Sequence, residues 1–309
     1  MHDDRTDTTC ALCGPDAASK VRFPEMIHRA SFDFAARKTP ERQHFRIVEC
    51  SQCGLVYSNP ILPQEDIYRL YEDSPFIQEQ QLGNMCHDYR RQLERLLPLM
   101  PARQRLLEIG CSSGFFLKAA SPYFEEVHGV EPGVEAVKSA DPVIRPQIVN
   151  DLFDADLFPP ASFDAVCCFQ ILDHLLDPVG TLQDACTLLK PGGILLLLNH
   201  NIRSWFPRVL GRRCPMYDVE HIYLFDRRTV ASLLRKTGFE VVETRNVANS
   251  YTLDYAFKMF PLPRPLKQAG LAAVRGLGIS SWRLRLPAGN MIAVGQKPCE
   301  NQQIGERAA

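Results

Sequence analysis

The stretch RLLEIGCSSGFFLK, Arg105 to Lys118, decides how the rest of the chain is read. Leu106 and Leu107, closed by Glu108 and Ile109, form the short apolar run of a buried parallel strand. Gly110, Ser112 and Gly114 then recur at every second position, and Phe115, Phe116 and Leu117 open a helical pattern. Small residues in such a turn let backbone come close to a ligand, and the helix start offers unpaired N–H donors. This is the strand–turn–helix of a nucleotide-type cofactor site, although Gly-x-Ser-x-Gly also occurs in ordinary loops. Glu108, just before the turn, would repel a pyrophosphate and suits a cationic or hydroxyl-rich ligand instead. A second short strand, Glu126 to Val130, leads to Glu131 and Pro132, where a carboxylate can accept from both ribose hydroxyls.

These residues resemble the class I S-adenosylmethionine-dependent methyltransferases, whose first motif is Glu-x-Gly-x-Gly-x-Gly; Ser112 stands where the middle glycine falls. The resemblance implies an α/β fold, a Rossmann-like seven-stranded sheet, with S-adenosylmethionine as cofactor. Ile148 and Val149 read as a third strand ending at Asn150 and Asp151. The resemblance gives Asp151 the adenine amino group and Leu152 a wall against the ring; Asp151 reads equally as a cap for the turn DLFDAD. Phe163 to Phe169 is the fourth strand, with Cys167 and Cys168 as core filling and Gln170 at its end over the cofactor. Ile171 to Pro178, ILDHLLDP, resembles the Leu-Glu-His-x-x-Asp-Pro segment of small-molecule methyltransferases. It puts His174 at the rim where open parallel sheets bind ligands. A helix from Thr181 to Leu189 stops at Lys190-Pro191-Gly192-Gly193, and the apolar run Ile194 to Leu198 is the fifth strand. A helix from Arg228 to Thr237 precedes a sixth strand, Phe239 to Glu243. Asn290 to Gly295 is a last strand that the resemblance places, antiparallel, between the fifth and sixth.

The N-terminal region carries different chemistry. Cys10-Ala-Leu-Cys13-Gly14 and Cys50-Ser-Gln-Cys53-Gly54 are two knuckles, each with a trailing glycine. Together they supply four thiolates, a closed tetrahedral zinc site with no open position for catalysis. The alternative is two unrelated redox or buried pairs. The residues between must fold back as strands, through His44 to Glu49. Residues 1–60 thus form a zinc-binding module and 61–100 a helical linker or lid, with helices at Leu62 to Tyr71 and Asp88 to Leu97. Residues 101–297 are the methyltransferase domain, in which 245–288 reads as a lid-like insertion, and 298–309 as a disordered tail.

The totals fit that division. A chain of 309 residues, 45% apolar and 23% charged, has room for one large domain with a small satellite. A formal net charge of −1 argues against a broad nucleic-acid footprint, so no nucleic-acid partner is expected. No apolar run reaches the ~18 residues a membrane span needs, and the N-terminus MHDDRTDTTC lacks the features of a secretory signal. Eleven cysteines without such a signal indicate a reducing, cytoplasmic setting.

Tyr217 to Phe225, YDVEHIYLF, holds the candidate base. His221 follows an acid and lies among aromatics; a lone histidine is more often structural, but a Glu-His pair in a loop at the sheet's rim raises a catalytic reading. With the knuckles, the chain is similar to zinc-bearing methyltransferases of sugar and secondary-metabolite pathways, including deoxysugar C-methyltransferases that act on nucleotide-linked ketosugars. Those enzymes usually carry a further C-terminal domain of over a hundred residues, so at 309 residues methyl transfer is the firmer expectation and a nucleotide-linked sugar the weaker one. The reaction implied is displacement at the sulfonium methyl by an oxygen or carbon of a small-molecule acceptor, with a base to take the acceptor's proton. His221 is the first candidate, Glu220 its orienting acid, Tyr217 a donor to the substrate oxygen, and His174 the second choice of base. Basic residues at Lys258, Arg264, Lys267 and Arg275 either solvate the lid or meet an anionic partner. Two other readings stand beside this one: an RNA base methyltransferase with a zinc grip, and a methyltransferase-like scaffold that binds without turnover.

Overall fold

The computed structural model describes residues 5–28, 32, 34, 43–73, 81–259 and 262–299. Strands β1 (Ser19–Phe23), β2 (Ile47–Cys50) and β3 (Val56–Ser58) come first, then helices α1 (Gln64–Glu72) and α2 (Gln81–Leu96). The parallel core alternates as β4 (Arg105–Ile109), α3 (Phe115–Ala120), β5 (Glu126–Val130), α4 (Val134–Lys138), β6 (Ile148–Val149), β7 (Phe163–Phe169), α5 (Pro178–Leu188) and β8 (Leu189–His200). The remainder runs α6 (Trp205–Leu210), β9 (Tyr223–Leu224), α7 (Arg227–Lys236), β10 (Glu240–Thr252), α8 (Leu253–Met259), α9 (Arg264–Gly276) and β11 (Arg283–Gln296).

The large sheet has seven strands in the order β10-β11-β8-β7-β4-β5-β6. β4 through β8 pair in parallel, while β11 is antiparallel to both β8 and β10. This is the expected Rossmann-like sheet, with the last strand inserted between the fifth and sixth. Strands covered on both faces need apolar residues at every position, and β7 and the run Ile194 to Leu198 of β8 are buried throughout. Cys167 and Cys168 are part of that filling. The chain order reverses between β4 and β7, and ligands in open α/β sheets lie outside the strand ends at such a point.

Several boundaries depart from the pattern reading. α5 starts at Pro178 because Asp177 caps it, its Oδ1 accepting from Val179 N (3.1 Å) and Gly180 N (2.9 Å). Lys190 to Gly193 do not separate helix from strand: β8 begins at Leu189, and the register with β7 slips between Phe163 and Ala165 to absorb them. β10 and β11 run far past their expected ends, pairing with each other out to Thr252 and Arg283. The expected insertion is therefore the outer half of one long hairpin, with α8 and α9 at its tip. The expected tail lies, from residue 300 onward, outside the described residues.

A smaller sheet, β1-β2-β3-β9, builds the N-terminal module. Its fourth strand comes from the far end of the chain: Val56 pairs with Leu224 and Tyr57 with Tyr223. Ser58 N donates to Ile222 O (2.8 Å) and Ser58 Oγ to His221 O (2.8 Å). The module thus grips the backbone of the segment that carries the candidate base.

Candidate active site

A cavity of about 820 Å³ opens at the carboxyl ends of β4, β5, β7 and β8. Two groups of residues line it. At one end stand Glu108, Gly110, Ser112, Glu131, Pro132, Leu152 and Gln170. The turn after β4 takes left-handed backbone at Gly110 (φ 72°), Ser112 (φ 51°) and Gly114 (φ 66°). A Cβ on Gly110 would lie 2.6 Å from Ile171 Cγ2, and one on Gly114 2.7 Å from Ile144 Cγ2. Glycine is required at both by conformation and by space. Glu131 locks this turn to the end of β5: Oε2 accepts from Ser112 N (2.8 Å) and Oε1 from Gly133 N (2.9 Å). Asn150 Nδ2 donates to the carbonyls of Glu131 (2.8 Å) and Pro132 (3.1 Å), fixing the next loop.

Glu108 is buried with no hydrogen-bond partner for Oε2, and burial, with Glu131 adding to it, pushes its carboxyl well above the usual range. Gln170 holds a left-handed backbone (φ 58°) at the end of β7, and its buried Oε1 is likewise unpartnered. A strained residue and two orphaned acceptors facing one cavity are marks of a built site. Asp151 lies apart from this group. It is exposed, does not line the cavity, and accepts from Leu152 N (2.7 Å), which is the turn-capping arrangement. Leu152 and Phe153 supply the wall there, and nothing in the motif pattern singled out Phe153.

At the other end Tyr71, His174, His200, Glu220 and His221 converge. His221 Nδ1 lies 2.8 Å from Met216 O. A carbonyl only accepts, so Nδ1 carries the proton and Nε2 of the neutral ring holds a lone pair. His221 Nε2 is 3.8 Å from Asp173 Oδ2, and His200 Nδ1 is 2.6 Å from that same oxygen. His174 hydrogen-bonds Tyr71 Oη through Nδ1 (2.8 Å), while its Nε2 faces Asp173 Oδ1 at 3.9 Å. Burial and the carboxylates of Glu220, Asp173 and Asp218 raise the Tyr71 hydroxyl, which stays protonated. Burial would raise Asp173 too, but the imidazoles of His200, His221 and His174 outweigh it and hold the carboxyl below its usual range.

Two expected roles need correction. Glu220 sets its carboxylate 4.0 Å from His174 Nδ1, whereas the groups against the His221 ring nitrogens are the Met216 carbonyl and Asp173. Tyr217 does not line the cavity; it is 1% exposed and packs edge-on against Phe23, with ring centroids 5.1 Å apart, in the core of the small sheet. Burial pushes its hydroxyl up to about 12. Tyr217 therefore cannot donate to a substrate in this cavity. Asp173, His200 and Tyr71 are the residues sequence reasoning missed. Asp173 stands beside His174 in the quoted motif and His200 ends a rim strand, which were usable signals; Tyr71, from a helix outside the sheet, offered none. Of the lid's basic residues, Lys258, Lys267 and Arg275 do not line the cavity, whereas Tyr251 and Tyr255 do.

The four knuckle cysteines meet at the end of β2 and the turn that leads to β3. Cys10, Cys13, Cys50 and Cys53 place their sulfurs within 4.8 Å of one another, with Cys10 Sγ and Cys53 Sγ 3.5 Å apart. Sulfurs around a tetrahedral zinc are about 3.8 Å apart, given Zn–S bonds of ~2.3 Å. The glycines after each knuckle are left-handed, Gly14 at φ 82° and Gly54 at φ 76°, and Leu55 N donates to Cys53 Sγ (3.5 Å). The donor set fits zinc.

The seven-stranded sheet thus sets a pair of carboxylates and a cluster of acid–base residues around one cavity at its strand ends. The sequence profile of the family described as "Methyltransferase domain" matches residues 79–244, more than half of the chain. A ubiquinone biosynthesis O-methyltransferase of Burkholderia ambifaria is 27% identical over 159 residues, 47% of this chain and 68% of that protein. One of Paracidovorax citrulli is 27% identical over 182 residues, 53% of this chain and 74% of that protein. Among solved structures, a protein of Bacillus halodurans C-125 assigned as a methyltransferase superposes with a TM-score of 0.50 at 18% identity, covering 68% of this chain and 99% of its own. The chain belongs to the methyltransferase domain family and is an S-adenosylmethionine-dependent methyltransferase.

Proposed function

We propose that the protein methylates a hydroxyl oxygen of a small molecule, a sugar or secondary-metabolite intermediate, with a carbon acceptor as the second option. The observation that carries this reading is His221, which lines the cavity and whose tautomer is set by Met216 O so that Nε2 keeps its lone pair. The match to O-methyltransferases favours oxygen over carbon. Glu131 would hold the ribose, the turn Gly110 to Gly114 the amino-acid portion, and Leu152 and Phe153 the adenine of S-adenosylmethionine. The cofactor supplies a sulfonium methyl, already bonded to a good leaving group. What remains for the chain is to align the acceptor, exclude water and take its proton. His221 is the first candidate for that proton, and His174, bonded to Tyr71, stands next to it with ring centroids 4.8 Å apart. Zinc at the four cysteines is structural in this reading, since a site of four thiolates leaves no open coordination position.

The test is release of S-adenosylhomocysteine across a panel of hydroxylated acceptors. His221→Ala should abolish turnover while leaving cofactor affinity near normal; unchanged turnover removes His221 from the mechanism.

A further inference from the structure

The histidines at the acceptor end share one buried anion. Asp173 is 1% exposed, and its main-chain carbonyl accepts from Ile222 N (2.7 Å) and Tyr223 N (3.3 Å), which ties it to the segment of His221. Around its side chain stand His200 from the end of β8, His221 from the loop before β9 and His174 from the following residue. Glu220 and Asp218 from that same loop, and Tyr71 from α1, complete the charged and titratable surroundings. His200 Nδ1, at 2.6 Å, is at donor distance from Oδ2, so this bond fixes the rotamer of the carboxylate. Oδ2 then faces His221 Nε2 across 3.8 Å, too far for a hydrogen bond and close enough for strong attraction once that nitrogen is protonated. Oδ1 makes no hydrogen bond and is directed toward His174.

We infer that Asp173, held by His200, is the positioning residue of the proton-accepting site, the counter-ion that stabilises His221 when it takes the acceptor's proton. This rests on the methyl-transfer reading above and assigns the stabilising charge to Asp173, in place of the orienting role expected of Glu220. Across 3.8 Å the Asp173 carboxylate attracts the His221 ring more strongly once Nε2 carries the proton taken from the acceptor hydroxyl. The proton leaves the acceptor oxygen for Nε2, and the oxygen's electron pair forms the bond to the methyl carbon as the carbon–sulfur bond breaks. His200 shapes the site through Asp173 and is a positioning residue as well.

The experiment is the pH profile of kcat/KM in Asp173→Asn. Its acidic limb reports the base of the free enzyme. A carboxylate 3.8 Å away favours the protonated ring, so its removal should move the limb to lower pH. In the same variant kcat should fall about 100-fold or more. Asp173→Glu should recover part of the rate. A lower rate with the limb unmoved makes Asp173 merely structural and overturns the inference. His200→Asn, whose amide can replace Nδ1–H, should keep most of the rate, whereas His200→Leu should show the shifted limb; equal loss in both overturns the part given to His200. Asp173, His200 and His221 also lie within 4.8 Å, a spacing a transition metal could draw together. Elemental analysis of the purified chain, finding one ion beyond the cysteine site that is lost in His200→Leu, would replace the counter-ion by a metal and overturn the inference. Calorimetry with S-adenosylhomocysteine on the unmodified chain separates the two levels. No binding there sinks the methyltransferase reading itself, while normal binding with an unmoved limb sinks only the role of Asp173.

Discussion

Glu108 and Asp173 are buried carboxylates that their surroundings push in opposite directions. Glu108 sits in the cavity floor with Oε2 unpartnered, so burial and the nearby Glu131 raise its carboxyl. The unfolded chain releases this proton at the ordinary carboxylate value and the native chain only well above it. Its contribution to stability is therefore full below the ordinary value and is lost as pH rises through the raised one. Glu108→Gln removes that loss. The cofactor-free variant should melt higher than the parent at pH 8, on the order of 2–4 °C for each kcal/mol relieved. It should also bind S-adenosylhomocysteine more weakly, and a thermal scan at pH 5 and pH 8 that shows no change in pH dependence would contradict this. Asp173 has the opposite sign: its depressed carboxyl contributes above the ordinary carboxylate value and is lost as pH falls through the lowered one. Neither assignment was visible in the motif. Glu108 was legible as a cofactor-end acid, because strand and turn are adjacent in sequence. The hydrogen bond from His200 to Asp173 spans 27 residues and arises only when two strand ends are laid side by side. Tyr217 shows the converse. Four residues from His221 in sequence, it turns into the core of the small sheet.

Among the elements, those set by local apolar pattern were read with their bounds nearly intact: β4, β5, β6 and β7 coincide with the expected strands. Those set by pairing with distant chain were not. β10 and β11 extend because each supplies the other's hydrogen bonds, and β9 joins β3 across more than 160 residues. That last pairing has a functional consequence. The cysteine cluster takes in the end of β2 and the turn to β3, and Ser58 of β3 bonds both the His221 carbonyl and Ile222. Arg228 at the start of α7 donates to Cys53 O (2.7 Å), a second tie from knuckle to core. The purified chain should hold one zinc ion, and stepwise chelation should lower turnover while affinity for S-adenosylhomocysteine persists, because the cofactor end is built on β4 and β5. Parallel loss of both, followed by titration calorimetry and a turnover assay on the same samples, would show that the module supports the whole fold instead.

At the scale of the molecule the two sheets divide the work. The seven-stranded sheet lays Glu108, the glycine turn, Glu131 and Gln170 around one end of the cavity. The smaller sheet, completed by β9, and the hairpin of β10 and β11 bring His221, Tyr251 and Tyr255 to the other. Among the described residues no helix is long and apolar enough to cross a membrane. The fold was open to sequence reading, and so was the clustering of Glu108, the glycine turn and Glu131, because these follow from short-range patterns; Asp151, read into the same group, is not part of it. The acceptor end was read only in part, because it is assembled from α1, the loop after β7, β8, the loop before β9 and the lid, five segments with no shared periodicity.

Titration calorimetry of S-adenosylhomocysteine against the parent chain and Glu131→Ala tests the central claim most directly. Loss of a carboxylate that anchors the turn through Ser112 N and, in the proposed reading, receives the ribose should weaken binding at least about 100-fold, by analogy with the ~3 kcal/mol cost of removing a charged hydrogen-bonding partner. Tight binding by the parent and near-complete loss in the variant is the predicted result. A parent chain that binds neither this product nor S-adenosylmethionine, or a variant that binds as well as the parent, contradicts the account.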